Sequence, residues 1–247
     1  TENKRKEEEL EEARQFQLDM LPRDTPDELG LDISSAIQTA TEVGGDYYDY
    51  FPQKDGKSLY VVVGDATGHG MTAGMMVSIT KAGLYGIPSI PPNDIARRLN
   101  RVIKNIDLGW NRMAFNMARF WEDRVEFTSA AMPPVYHYHG ETGELDEVLL
   151  GGLPLGSIKD ETFSLEEFDF NQGDSLIFIS DGLPEAANHT GEMLGYDAVY
   201  NCIKANGNQS AEEQKQSLLD LGSAWLGGLQ NQDDITIVVV KKSKPLE

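Results

Sequence analysis

The stretch Leu59-Tyr60-Val61-Val62-Val63-Gly64-Asp65-Ala66-Thr67-Gly68-His69-Gly70 decides the fold. Its first half is apolar and β-branched, the composition of a strand buried in a sheet rather than lying at its edge. Its second half sets an aspartate at the strand's end among glycines, which permit tight turns and close backbone approach. Upstream, Tyr47 to Phe51 is aromatic and flanked by Asp, and the Lys54-Asp55-Gly56-Lys57 turn joins the two runs into a hairpin. Downstream, Met71 to Tyr85 reads as a helix with Met71, Met75, Ile79 and Ala82 at helical spacing. After Pro91-Pro92-Asn93 a second helix is expected over Asp94 to Ile106, with Ile95, Leu99, Val102 and Ile106 on its apolar face.

Further out the same alternation continues. Leu31 to Ala36 is a loose strand pattern, and several short strands fill Met113 to Leu150. Phe163 to Phe170 and Asp174 to Ser180 are further strands, the latter holding Ser-Leu-Ile-Phe-Ile. Helices are expected over Tyr196 to Lys204 and Ala211 to Trp225, and Ile235 to Val240 closes the chain as a strand. Segregated strands and helices define an α+β fold, with antiparallel sheets covered by helices. Glu7 to Met20 is a charged helix with a narrow apolar stripe, stopped by Pro22. It reads as a connector to an upstream sensor or as a simple surface helix.

Composition narrows the function. The 247 residues suit one large domain. A formal net charge of −20 argues against nucleic acid and against an anionic membrane surface, both of which need surplus Lys and Arg. No run approaches the roughly 20 apolar residues of a membrane helix. The single cysteine, Cys202, excludes an internal disulfide or a cysteine-based zinc site and points to the cytoplasm. It lies in an apolar stretch and reads as core filler. The chain opens on Thr1 and ends in Leu246-Glu247, read as a cloning scar on a piece of a longer protein. The expected organisation is a helical linker over 1–23, a catalytic domain over 24–243 and a tail over 244–247.

Four segments each place an aspartate beside a buried strand. They are Val43-Gly44-Gly45-Asp46-Tyr47-Tyr48-Asp49, Val63-Gly64-Asp65-Ala66-Thr67-Gly68-His69-Gly70, Ile179-Ser180-Asp181-Gly182 and Gln232-Asp233-Asp234-Ile235-Thr236. Any one alone reads as a turn, because Asp and Gly are common turn residues. Together they read differently. A partly desolvated carboxylate needs a partner, and Lys and Arg are sparse near all four. Hard divalent cations, which prefer carboxylate, carbonyl and water oxygen, are the natural partner. No Gly-Lys-Ser/Thr phosphate loop and no dinucleotide fingerprint is present.

In this order and spacing the four segments resemble the protein phosphatase 2C (PPM) superfamily, in its bacterial branch of stage II sporulation protein E and sigma-factor-regulating phosphatases. The resemblance runs from about Leu21 to Lys241, and Met20-Leu21-Pro22 is similar to the linker that precedes this domain. It implies an αββα sandwich with a metal site at one end. It implies two divalent ions, Mn²⁺ or Mg²⁺, with Asp65 bridging them and the Ala66 carbonyl adding a ligand. Asp46 would serve one ion directly or through water, and Asp181 and Asp233 would hold the other; relatives often carry Asn at the position of Asp234. Asp65 and Asp46 would then be the catalytic carboxylates, and a water shared by the two cations would attack phosphorus in line with the leaving serine or threonine oxygen. The implied substrate is a phosphorylated regulatory protein of anti-anti-sigma type, and the implied control acts through the helix before the domain, by an upstream sensor, an activator or a homodimer.

Other residues are read as structural. His69 lies near Asp65 and could protonate the leaving oxygen, but its place at the start of a helix favours structure; His137 and His139 could be metal ligands, but with no fixed carboxylate nearby they read as surface strand residues; His189 sits in an exposed loop; Met71, Met75 and Met76 are core. Two departures from the family pattern matter. Ala131-Met132-Pro133-Pro134 stands where a Gly-His-Pro-Pro type segment is common. Gly45 stands where classical eukaryotic enzymes carry Glu, which implies one weakly held ion. No phosphate-clamping Arg precedes Asp46. The competing readings are a catalytically weak phosphatase-fold binding module in a signalling partner switch, and a sensory domain whose acidic turns are unrelated.

Overall fold

The central apolar run forms β3 (Leu59–Ala66), which is flanked by β2 (Asp46–Pro52) and β4 (Met113–Phe120). The computed structural model describes residues 2–41, 43–54, 56–68, 70–86 and 88–243, and for 2–4 and 6–10 the backbone alone. With β5 (Arg124–Ala130) and β8 (Glu166–Asp169) these strands make one antiparallel sheet, ordered β2-β3-β4-β5-β8. The second sheet is ordered β1-β10-β9-β6-β7, from β1 (Leu31–Gln38), β6 (Val135–Tyr138), β7 (Leu145–Val148), β9 (Ser175–Ile179) and β10 (Ile235–Lys242). It too is antiparallel throughout.

The side-chain period of two explains the layering. Leu59, Val61 and Val63 join Phe120, Phe127, Leu176, Phe178, Val238 and Val240 between the sheets. Tyr60 and Val62 face the other way, under α2 (Met71–Tyr85) and α3 (Pro92–Ile106). Ile177, Ile179, Ile237 and Val239 lie under α4 (Tyr196–Asn206) and α5 (Ala211–Leu226). Strands covered on both faces read as unbroken apolar runs, and the architecture is the expected αββα sandwich. Ser210 and Glu213 close a capping box that starts α5. The N-terminal helix α1 spans Glu2–Asp19, beginning earlier than the sequence pattern indicates.

Two helix faces differ from expectation. On α2 the buried set is Ala73, Gly74, Met76, Val77, Thr80 and Leu84, while Met71 and Met75 are 51% and 54% exposed. The small-residue face is turned inward, where the helix backbone approaches its neighbours closely: a Cβ on Gly74 would lie 2.8 Å from Val43, in the loop before β2. On α3 Ile95 and Leu99 are buried as expected, but Ala96 and Ile103 complete the face, and Val102 and Ile106 are exposed. Cys202 is half-buried on α4 against the helix-covered core, with its thiol pushed up by burial.

Candidate metal centre

The β2–β3 hairpin sets Asp46 directly opposite Asp65. Side chains of such a pair share one face, with Cβ atoms about 4.5–5.5 Å apart. Asp46 is buried, and the hydroxyl of Thr236 on β10 donates to its Oδ2 at 2.6 Å. This bond ties the two sheets together at one end. Asp181 follows β9 and Asp233 and Asp234 precede β10, so the neighbouring central strands of the second sheet deliver their acids to the same end.

The electrostatics follow from that convergence. Burial, then the charges of Asp181, Asp233, Asp234 and Glu185, push the Asp65 carboxyl up to about 7. Burial and the neighbouring Asp65 raise Asp46 well above the usual carboxylate range, against hydrogen bonds from Thr236 and Ser180. Asp181 is raised by burial and by Asp233 and Glu185. Among the described residues, none of these acids pairs with Lys or Arg.

Close packing at Gly45 completes the oxygen set. A Cβ there would lie 2.6 Å from the Ala66 carbonyl oxygen, 3.1 Å from that of Gly68 and 3.3 Å from Asp65 Oδ1. Only glycine fits, and the space it leaves is lined by oxygen atoms. Carboxylate and carbonyl oxygens without nitrogen or sulfur are the donor set of Mg²⁺ and Mn²⁺, so these residues fit a hard divalent cation.

The structure thus brings together Asp46, Asp65, Ala66 and Asp181, with Asp233 beside Asp65 and Asp181. Asp233 is exposed at the rim, its Oδ1 accepting the Asp234 N–H at 2.8 Å. Asp234 is committed to the backbone: Oδ1 accepts Ala40 N–H at 2.8 Å, and Oδ2 accepts the N–H groups of Gly45 at 2.7 Å and Asp46 at 3.4 Å. It positions the loop that carries Asp46. Gln17 of α1 holds the same loop, donating to the Gly44 carbonyl at 2.7 Å and accepting its N–H at 2.9 Å.

Sequence reasoning missed Gln17, Ser180, Thr236 and Glu185. Thr236 carried a signal, standing two residues from Asp234 on one strand face. Gln17 carried a weaker one, a polar residue beside the apolar stripe of α1; it is buried at 7% exposure whereas its neighbour Phe16 is 62% exposed. His69 lies outside the described residues, as does the 244–247 tail. His189 is exposed, as expected, near the Gly227 carbonyl. His137 corrects the surface-strand expectation: it is 4% exposed, with Asp174 3.3 Å away, because its strand is covered by Phe168 and Phe170. Ala131 adopts φ 61°, a left-handed backbone that favours glycine.

The two-sheet sandwich with its acidic end defines the PP2C fold class. The SiaA-PP2C domain of Pseudomonas aeruginosa superposes with a TM-score of 0.83 at 22% identity, over 97% of each chain. The PP2C domain of SpoIIE from Bacillus subtilis gives 0.68 at 20% identity, over 85% of this chain and 63% of that one. The chain belongs to the stage II sporulation protein E (SpoIIE) family, whose model matches residues 55–243. In sequence it is 28% identical to phosphoserine phosphatase RsbU of Bacillus subtilis over 95% of this chain and 70% of that protein.

Proposed function

We propose that this chain is a metal-dependent protein serine/threonine phosphatase that acts on a phosphorylated regulatory protein. The observation that carries the reading is the meeting of Asp46, Asp65 and Asp181 with the Ala66 carbonyl at one end of the sandwich, with no Lys or Arg among the described residues paired to them. Two divalent ions, Mn²⁺ or Mg²⁺, held by Asp46, Asp65, Ala66, Asp181 and Asp233 would activate water and neutralise phosphoryl charge. The chain's own part is positional. Thr236 and Ser180 orient Asp46, and Asp234 fixes the backbone of the loop that carries it. Met132, Pro133, Pro134 and Leu149 give an apolar side, and Glu147 and Glu185 an acidic one, to a groove that reaches Asp181, a bed for residues flanking a phosphoserine.

Similarity to a phosphoserine phosphatase supports a phosphoserine substrate, and family membership supports a regulatory protein of anti-anti-sigma type in a cytoplasmic signalling switch. The linker over 1–23 is the route by which a sensor, an activator or a second copy would act, because Gln17 grips the loop that carries Asp46. No described helix is long and apolar enough to cross a membrane. The exposure of Asp233 favours a second reading, a binding module of weak turnover with one loosely held ion.

Hydrolysis of a phosphoserine peptide with Mn²⁺, with Mg²⁺ and with chelator tests the proposal. Metal-dependent release of phosphate is expected; metal binding by a folded chain without release would leave the binding module. Gln17→Ala is expected to lower turnover severalfold and to cost stability of about 1–2 kcal/mol, since it strips both partners from buried Gly44.

A further inference from the structure

The far end of β9 carries a second cluster of ligand-type side chains. One ring nitrogen each from His137 and His139 and one carboxylate oxygen of Asp174 lie within 4.8 Å of one another. Asp174 immediately precedes β9, and Asp181 follows that strand's other end. At about 3.3 Å per residue the two aspartates are separated by roughly 20 Å, so this cluster is no part of the acidic centre.

We propose that His137, His139 and Asp174 form a binding site for one transition-metal ion of the zinc class. Four observations support it. First, the donors are two imidazoles and one carboxylate, a set suited to Zn²⁺ and unlike the all-oxygen centre at the opposite end. Second, His137 Nε2 and Asp174 Oδ2 are 3.3 Å apart. That is long for a charge-assisted hydrogen bond, yet it is the edge of a tetrahedron whose bonds are about 2.0–2.1 Å. Third, two of the three ligands, His139 and Asp174, are oriented from outside. Asp146 Oδ2 lies 2.8 Å from His139 Nε2, leaving the other ring nitrogen for the ion. Gly140 N–H donates to Asp174 Oδ1 and Asn171 N–H to Oδ2, both at 2.8 Å. Carboxylate and backbone partners of this kind habitually fix metal-binding side chains. Fourth, the site is open on one side: His137 and Asp174 are nearly inaccessible, while His139 and Asp146 are 30% and 68% exposed, so an ion can enter and a water can complete the coordination.

The two histidine rings already lie with centroids 4.1 Å apart, and Phe168 packs against His137 from the facing sheet. An ion here would join β6, the turn after it and the start of β9. Its role would be structural, independent of phosphate release.

Co²⁺ is the probe, because nitrogen-bound four-coordinate Co²⁺ absorbs visible light far more strongly than Co²⁺ in a six-coordinate oxygen site. The full chain is titrated as wild type, Asp65→Asn, His139→Ala and Asp146→Asn, with circular dichroism to confirm folding. The expected result is one strongly absorbing equivalent that persists in Asp65→Asn, disappears in His139→Ala, is displaced by Zn²⁺ and binds about 10- to 100-fold more weakly in Asp146→Asn. His139 is partly exposed and its replacement is expected to fold; should it not, the Asp146→Asn affinity decides. No strong absorption in the wild type, absorption lost in Asp65→Asn, or affinity unchanged in folded His139→Ala or Asp146→Asn would overturn the site.

Discussion

Asp174 and Asp181 stand at opposite ends of the same five-residue strand, and the chain treats them in opposite ways. Burial alone would raise Asp174, but the adjacent His137 ring and the N–H groups of Asn171 and Gly140 outweigh it and hold the carboxyl below its usual range. At Asp181 burial raises the carboxyl and its neighbours Asp233 and Glu185 raise it further. A buried acid supplied with donors is part of the fold's stability. One surrounded by other acids is a standing demand for a cation, and the fold bears its cost when none is bound.

Four experiments break or sharpen that contrast. The largest effect is expected from Asp65→Asn, which should lower phosphoserine-peptide turnover by at least about 10³-fold while the chelated protein melts no lower than wild type, since a repelled charge is gone. A folded variant with wild-type turnover would end the metal-centre reading. Asp174→Asn should do the reverse. Placing an amide against the N–H groups of Gly140 and Asn171 should cost about 2–4 kcal/mol in a urea melt, with turnover per folded molecule little changed.

The pH dependence separates the ends by sign. The Asp65 carboxyl, raised to about 7, contributes stability that is complete below the ordinary carboxylate pKa and lost as pH rises through 7. In chelator the melting temperature should therefore fall between pH 5 and pH 8, by roughly 2–4 °C per kcal/mol lost. Asp65→Asn or Mn²⁺ should flatten that fall, and an equal fall in all three samples would show that other groups set it. Asp174, lowered, contributes stability that is present above the ordinary carboxylate pKa and lost only as pH drops through its own lower value. The smallest effect is expected at Ala131, where Ala131→Gly should relax the left-handed backbone and gain up to about 1 kcal/mol in the same melt.

Much of this was legible in the sequence. The α+β class followed from apolar runs that stop at turns, and the acidic end followed from four aspartates placed beside such runs. Each is a local pattern with a local cause. Roles set by distant partners were not legible. Nothing near His137 announces Asp174, which arrives from another strand 37 positions on. Nothing near Asp234 announces that Ala40 and Gly45 occupy its oxygens. The buried face of α2 was misread because it offers two apolar stripes, and contact with the sheet selects the one with smaller residues.

The register of one hairpin has a consequence for quality control. Asp46 meets Asp65 only in the observed pairing of β2 with β3. A slip of one residue would turn one of the two carboxylates to the opposite face, because strand side chains alternate. A cation held by both carboxylates would thus be an inspector of the hairpin: it would reward correctly paired chains alone, and a mispaired chain would fail its test before any substrate arrives.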